Sequence, residues 1–192
     1  MTARPKLAPQ DQLTIEEFLA FTQERPKGER WELIEGAAVL NPSPIDFHQV
    51  IVGNIVHLLL VAKDAHGHSW LPFIGTGTRV PASVNSLPQP DAMVVDSPLT
   101  GSPIAEDAVV IFEVLSPSNT KADQAWRRKV YASVPNCQHY VNVGHKSAEV
   151  TAFDRETSWM SRTVSGLAAT LDLPALGVSL PLHAIYRFTP IQ

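Results

Sequence analysis

The 192-residue chain is 44% hydrophobic and 18% charged, with 15 Lys and Arg against 19 Asp and Glu, a formal charge of −4. This composition supplies a full core and excludes wholesale disorder, while the acidic balance argues weakly against a dedicated nucleic-acid binder and leaves room for local basic patches. The single cysteine, Cys137, excludes a disulfide framework and a Cys-based zinc site, and it suits a reducing compartment.

Residues 1–12, rich in Pro and polar side chains, read as a flexible arm ahead of one domain over 13–192. They hold no apolar segment of the kind a secretory signal needs. The stretch 50–62 is broken by Gly53, Asn54 and His57 and does not read as a membrane span, so the expectation is a cytoplasmic protein.

Thr14-Ile-Glu-Glu17 is a capping box, and Ile15, Phe18, Leu19 and Thr22 follow at helical spacing, which predicts a short helix to about Gln23. Arg30 to Leu40 alternates around Glu35-Gly36 and predicts a β-hairpin. After Asn41-Pro-Ser-Pro44, the stripe Phe47, Ile51, Ile55, Leu58, Leu59 and Ala62 predicts a long helix over 45–65. Its second apolar side, Val52, Val56 and Leu60, implies burial or a subunit interface. Strands are expected over 70–74, 78–82 and 92–95, and the nearly unbroken apolar run 108–115 suits a central strand buried on both faces. A helix over 122–133, a hairpin of 139–143 with 148–153, and short strands near 161–164 and 178–180 complete the chain, with a last helical turn over 182–185.

Glu113 is out of place in that apolar run. Burying an ionised carboxylate is costly unless it meets a cation or hydrogen-bond donors, so Glu113 is either half of a buried salt bridge, a strand-end residue reaching solvent, or a ligand. Asp91, behind Pro90, opens the preceding strand. If the two strands pair, Asp91 and Glu113 can converge on one hard cation, the arrangement Mg²⁺ prefers. Glu32 alternates with Trp31 and Leu33 and is a further carboxylate or a solvent-facing strand residue; Glu35 fits a turn better than a site. Lys121, Arg127, Arg128 and Lys129 follow Glu113 on the expected helix, as a solvated face or as phosphate contacts. His48 opens the long helix and is a cap, a core residue or a group pointing into a cleft. Asp64 with His66 and His68 is better explained as a helix-end loop than as a metal clip, and Cys137 as a plain buried thiol.

Trp31-Glu32-Leu33-Ile34-Glu35-Gly36, Asn41-Pro-Ser-Pro44 with His48, Pro90-Asp91, Phe112-Glu113-Val114-Leu115-Ser116-Pro117-Ser118, and Tyr131 with His139-Tyr140-Val141 occur in an order that resembles the Uma-two type family. These are bacterial proteins proposed to be restriction endonucleases and catalogued as a domain of unknown function, within the PD-(D/E)XK nuclease superfamily. The resemblance spans about residues 12–186. It implies an α/β (α+β) fold of restriction-endonuclease type, a mixed central β-sheet flanked by helices, with an N-terminal helix and hairpin. It implies that Asp91 matches the PD aspartate, Glu113 the second acidic ligand and Glu32 an acidic residue before the sheet. In the usual motif a lysine stands two residues after the glutamate, where this chain has Leu115; in some relatives it has moved to the next helix, fourteen residues on, where this chain has Arg127.

The resulting expectation is a Mg²⁺- or Mn²⁺-dependent endodeoxyribonuclease. Asp91, Glu113 and the Val114 carbonyl would hold the metal, Arg127 and Glu32 would complete the catalytic set, and Lys121, Arg128, Lys129 and His48 would contact DNA or phosphate. A homodimer is expected, because cleaving both strands needs two sites. The alternatives are a catalytically weakened relative serving as a DNA-binding or protein-interaction module, and a hydrolase of a small phosphorylated substrate.

Overall fold

The computed structural model describes residues 6–7, 12–117 and 119–191. Part of the expected arm is paired: Lys6–Leu7 (β1) lies antiparallel to Ala37–Asn41 (β3), the second strand of the hairpin begun by Arg30–Ile34 (β2). Residues 1–5 and 8–11 of the arm, with Ser118 and Gln192, lie outside the described residues. Between β1 and β2, Ile15–Gln23 (α1) starts at the expected capping box, with Glu17 N–H donating to Thr14 and Glu17 Oε2 accepting from the Thr14 N–H. The hairpin turns through Glu35 and Gly36, both at positive φ (50° and 80°), the conformation a two-residue hairpin loop demands.

Asp46–His66 (α2) ends at Gly67 in the left-handed conformation. Leu71–Ile74 (β4), Gly77–Thr78 (β5), Ala92–Val95 (β6), Ile104–Ala105 (β7) and Ala108–Val114 (β8) follow, then Lys121–Ala132 (α3). His139–Val143 (β9), Glu149–Asp154 (β10), Ser161–Ser165 (β11), Thr170–Leu173 (β12), Val178–Pro181 (β13) and Leu182–Ile185 (α4) complete the fold. The expected strand over 78–82 is a correction: it stops at Thr78, and Ser83 N–H donates to the Val80 carbonyl in a turn around Pro81. Pro81 has no N–H for a ladder.

The central sheet has the order β11-β10-β9-β8-β6-β4. Only its β8–β9 pair is parallel, and α3 supplies the crossover such a pair needs. This is the mixed sheet with flanking helices expected from the sequence. Strand parity then assigns the faces. Val110, Phe112 and Val114 of β8 join Ile51, Ile55 and Leu59 of α2 and the C-terminal β12, β13 and α4 in one core. Ile111 joins Met93, Tyr140 and Val130 of α3 in another. Glu113 shares the parity of Ile111, so its side chain leaves the sheet on the side of α3. A third cluster, Phe18, Trp31, Leu33 and Leu87, fixes the N-terminal hairpin against the 87–90 segment.

Candidate active site

β6 and β8 pair antiparallel with Ala92 opposite Phe112. One residue further, Asp91 stands opposite Glu113, and opposed residues in an antiparallel pair share a face. Both carboxylates line a cavity of about 290 Å³ at this end of the sheet. Its walls are the Asn41–Ile45 loop, the start of α2, and residues 114–117 with Asn119.

Each carboxylate is held differently. Asp91 Oδ2 accepts from the Val114 N–H at 2.9 Å, and Arg30 approaches Oδ1 at 3.6 Å. His48 Nε2 lies 3.1 Å from the Val114 carbonyl oxygen and 3.3 Å from Asp91 Oδ2. Both neighbours are acceptors, so Nε2 carries the proton. Glu113 Oε1 accepts from Arg127 at 2.8 Å and from the Tyr131 hydroxyl at 2.8 Å. Glu32, fully buried, accepts from Arg127 through both oxygens (3.0 and 2.7 Å), from the Gln89 N–H and from the Asn41 amide. The alternative of a solvent-facing Glu32 is thereby overturned: both faces of β2 are covered, and the outer one meets α3.

Arg127, 5% exposed, thus sits between two carboxylates, fourteen residues after Glu113 and pointing back at it. Burial opposes its charge, but Glu113 and Glu32 hold its pKa well above the ordinary value. The two acids share this one cation unequally. Burial works against ionisation of Glu32, yet the Arg127 charge and hydrogen bonds from Arg127, Asn41 and Gln89 keep its carboxyl below the usual range. Burial pushes Glu113 up; Arg127 pulls it back, Asp91 and Glu32 repel it further, and the net result is about 7. The pocket holds more negative charge than Arg127 neutralises.

The donor set suits a hard cation. Glu113 Oε2 has no hydrogen bond among the described residues, and Asp91 Oδ1 has only the long Arg30 contact. Among the described residues no three His, Cys, Asp or Glu side chains are placed to hold one metal ion together. A metal here would rest on the two carboxylates, the Val114 carbonyl and water, an all-oxygen shell of the Mg²⁺ kind.

The other basic candidates lie elsewhere. Lys121, Arg128 and Lys129 are exposed, and none lines this cavity. His48 does line it, buried to 7% exposure, with Nε2 turned to Asp91 and the Val114 carbonyl. Sequence reasoning assigned no role to Arg30, Asn41, Gln89, Tyr131 or His145. Tyr131 had a signal, since it stands four residues after Arg127 on the same helix face. Arg30 and the Gln89 backbone had none, because their contacts join segments far apart in the chain. Cys137 is buried with its thiol pushed up to about 12 by burial, as befits an inert core residue.

Comparison with known proteins finds a family and solved structures of the same fold. The profile of a family described as "Uma2: Putative restriction endonuclease" matches residues 15–183. Among solved structures, a "putative nuclease belonging to DUF820" from Anabaena variabilis superposes with a TM-score of 0.73 at 16% identity, covering 91% of this chain and 97% of that one. At that identity the likeness concerns the fold. No curated protein matches.

Proposed function

This chain belongs to the Uma2 family, and on that premise we propose that it is an endonuclease hydrolysing DNA phosphodiester bonds with Mg²⁺ or Mn²⁺ held by Asp91 and Glu113. One observation carries the reading: Asp91 and Glu113 face one another on paired strands in a cavity whose acids outnumber the buried Arg127, leaving Glu113 at about 7. A divalent cation held there would offset that charge, polarise a phosphodiester and acidify water.

The protein's own groups do the positioning. The Val114 N–H and His48 fix the rotamer of Asp91, while Arg127 and Tyr131 fix that of Glu113, so both carboxylates are set before any cation arrives. Arg127 stays protonated and serves as a charge and a donor, never as a base. Arg30, part-exposed at the cavity mouth, is placed to meet a phosphate oxygen. Pro42, Pro44, Ile45 and Leu115 give the cavity an apolar rim that limits water.

The test is single-turnover cleavage of a labelled duplex with Mg²⁺, Mn²⁺ or EDTA, with Glu113→Gln as the blank. Cleavage that needs metal and disappears in the variant is expected. Metal-independent cleavage, or equal rates in the variant, overturns the reading. A second reading, the catalytically weakened relative, rests on a specific observation: among the described residues no lysine lines the cavity, and Arg127 already bridges Glu32 and Glu113. It expects duplex binding without cleavage in the same assay.

A further inference from the structure

The cavity over Asp91 and Glu113 has an acidic floor and apolar lips. Its floor is recessed: Glu113 is 7% and Asp91 9% exposed. Pro42, Pro44 and Ile45 form one lip, and Leu115 and Pro117 the other. Ile45 is the odd one among them. It is 47% exposed and stands at the N-cap of α2, where its side chain makes no capping hydrogen bond. Ser, Thr, Asp or Asn at that position would accept from the free N–H groups of the first helical turn. Folding therefore gains little from an isoleucine there, and the side chain is free to meet what enters the cavity.

Charge narrows the choice of occupant. Among the described residues only Arg30 and Arg127 bring a Lys or Arg to the lining, and Arg127 is committed to Glu32 and Glu113. Arg30 alone is left for a backbone phosphate, whereas a surface that grips a duplex neutralises several. Shape points the same way. A duplex is stiff over roughly 150 base pairs and carries its phosphates on the outside of a rod, with the bases stacked within. It offers neither a phosphate to a recessed floor nor a base to apolar lips. An unpaired strand brings both, its phosphate on rotatable bonds and its base free to turn onto an apolar surface. The volume of about 290 Å³ is at the small end of ligand sites, room on the order of one nucleotide. We propose that the cavity takes one unpaired nucleotide of a DNA strand, with its phosphate directed to the Asp91–Glu113 floor and its base between the Ile45 and Leu115 lips, so that single-stranded DNA is the preferred substrate. The inference rests on the nuclease reading and deepens it by naming the state of the strand. A duplex is then cut more slowly, through steps that open transiently.

Single-turnover cleavage in Mn²⁺, at enzyme concentrations below saturation, is compared for three labelled substrates of equal length: a single DNA strand, a duplex, and a duplex with an unpaired central loop. The single strand should be cut about tenfold faster than the duplex or more, and the looped substrate only within its loop. Equal or faster cutting of the duplex overturns the proposal, as does cutting of an RNA strand but not of the DNA strand. Ile45→Asp gives α2 the capping side chain it lacks, so the urea midpoint should not fall. It also sets a negative charge in the lip, and the single-strand rate should drop about tenfold. Ile45→Tyr should raise that rate about fivefold or more by stacking on the base. Unchanged rates in both variants overturn the proposal. Thymidine monophosphate competing as well as the oligomer overturns it too, in favour of a free nucleotide. If no substrate is cut, the same strands are followed by fluorescence anisotropy in Mn²⁺. A preference for the single strand that Ile45→Asp abolishes then keeps the cavity assignment while the nuclease reading falls; no preference overturns both.

Discussion

Arg127 is one positive charge serving two buried acids, and its planar fork is what makes that possible: one nitrogen takes both oxygens of Glu32 and the other takes Glu113. Removing it leaves two carboxylates buried without a counter-ion. Arg127→Ala should therefore cost about 3–5 kcal/mol of stability, measurable by urea unfolding, and a loss under 1 kcal/mol would show that the bridge is not carrying the charge balance. Arg127→Lys tests a different property. A lysine cannot span both acids, so stability should fall, but its amine can accept a proton where arginine cannot. The cleavage rate should then rise, by as much as ~10²–10⁴ if general-base help is the missing part. A slower lysine variant would identify the arginine as the working residue. At Cys137, with its thiol at about 12, the native protein should resist iodoacetamide at pH 8 and react only once unfolded; prompt labelling would contradict the buried placement.

At the scale of elements, α3 is the part that brings the site together, since it carries Arg127 and Tyr131 to Glu113 and is itself the β8–β9 crossover. Its start is fixed by a second capping box, Thr120 with Asp123, in which Thr120 Oγ1 accepts from the Asp123 N–H at 3.1 Å. Thr120→Ala should lower stability by about 1 kcal/mol, a shift of the urea midpoint with the slope unchanged; no shift would mean the helix is set by packing alone. The elements that carry the site were legible because each announces itself locally. The Thr14 box, the Glu35-Gly36 turn, the α2 stripe and the apolar β8 run are periodic or turn signals within a few residues of one another. The misses share a physical cause. The two-residue strands β5 and β7 are too short to show a period, and they pair only because distant chain brings them together. The same holds in the site. Glu113 is visible as a charge in an apolar run, whereas the Arg30–Asp91 and Gln89–Glu32 contacts are products of the third dimension.

For the whole molecule, the sheet order sets the carboxylates at one end of a mixed sheet, with α2 and α3 packed on its opposite faces. No helix among the described residues is long and apolar enough to cross a membrane. A cation that binds only the folded state adds about 2.7 kcal/mol at a hundredfold excess over its Kd, which for a protein of this size raises Tm by about 5–10 °C. Millimolar Mn²⁺ or Mg²⁺ should produce that rise in wild type and not in Glu113→Gln. The most direct test of the central claim is anomalous diffraction from crystals soaked in Mn²⁺. The expected result is a peak between Asp91 and Glu113, about 2.0–2.6 Å from an oxygen of each, with Arg127 still bonded to Glu32. No peak between the two carboxylates at saturating Mn²⁺, with Arg127 and Glu113 unmoved, would contradict the claim.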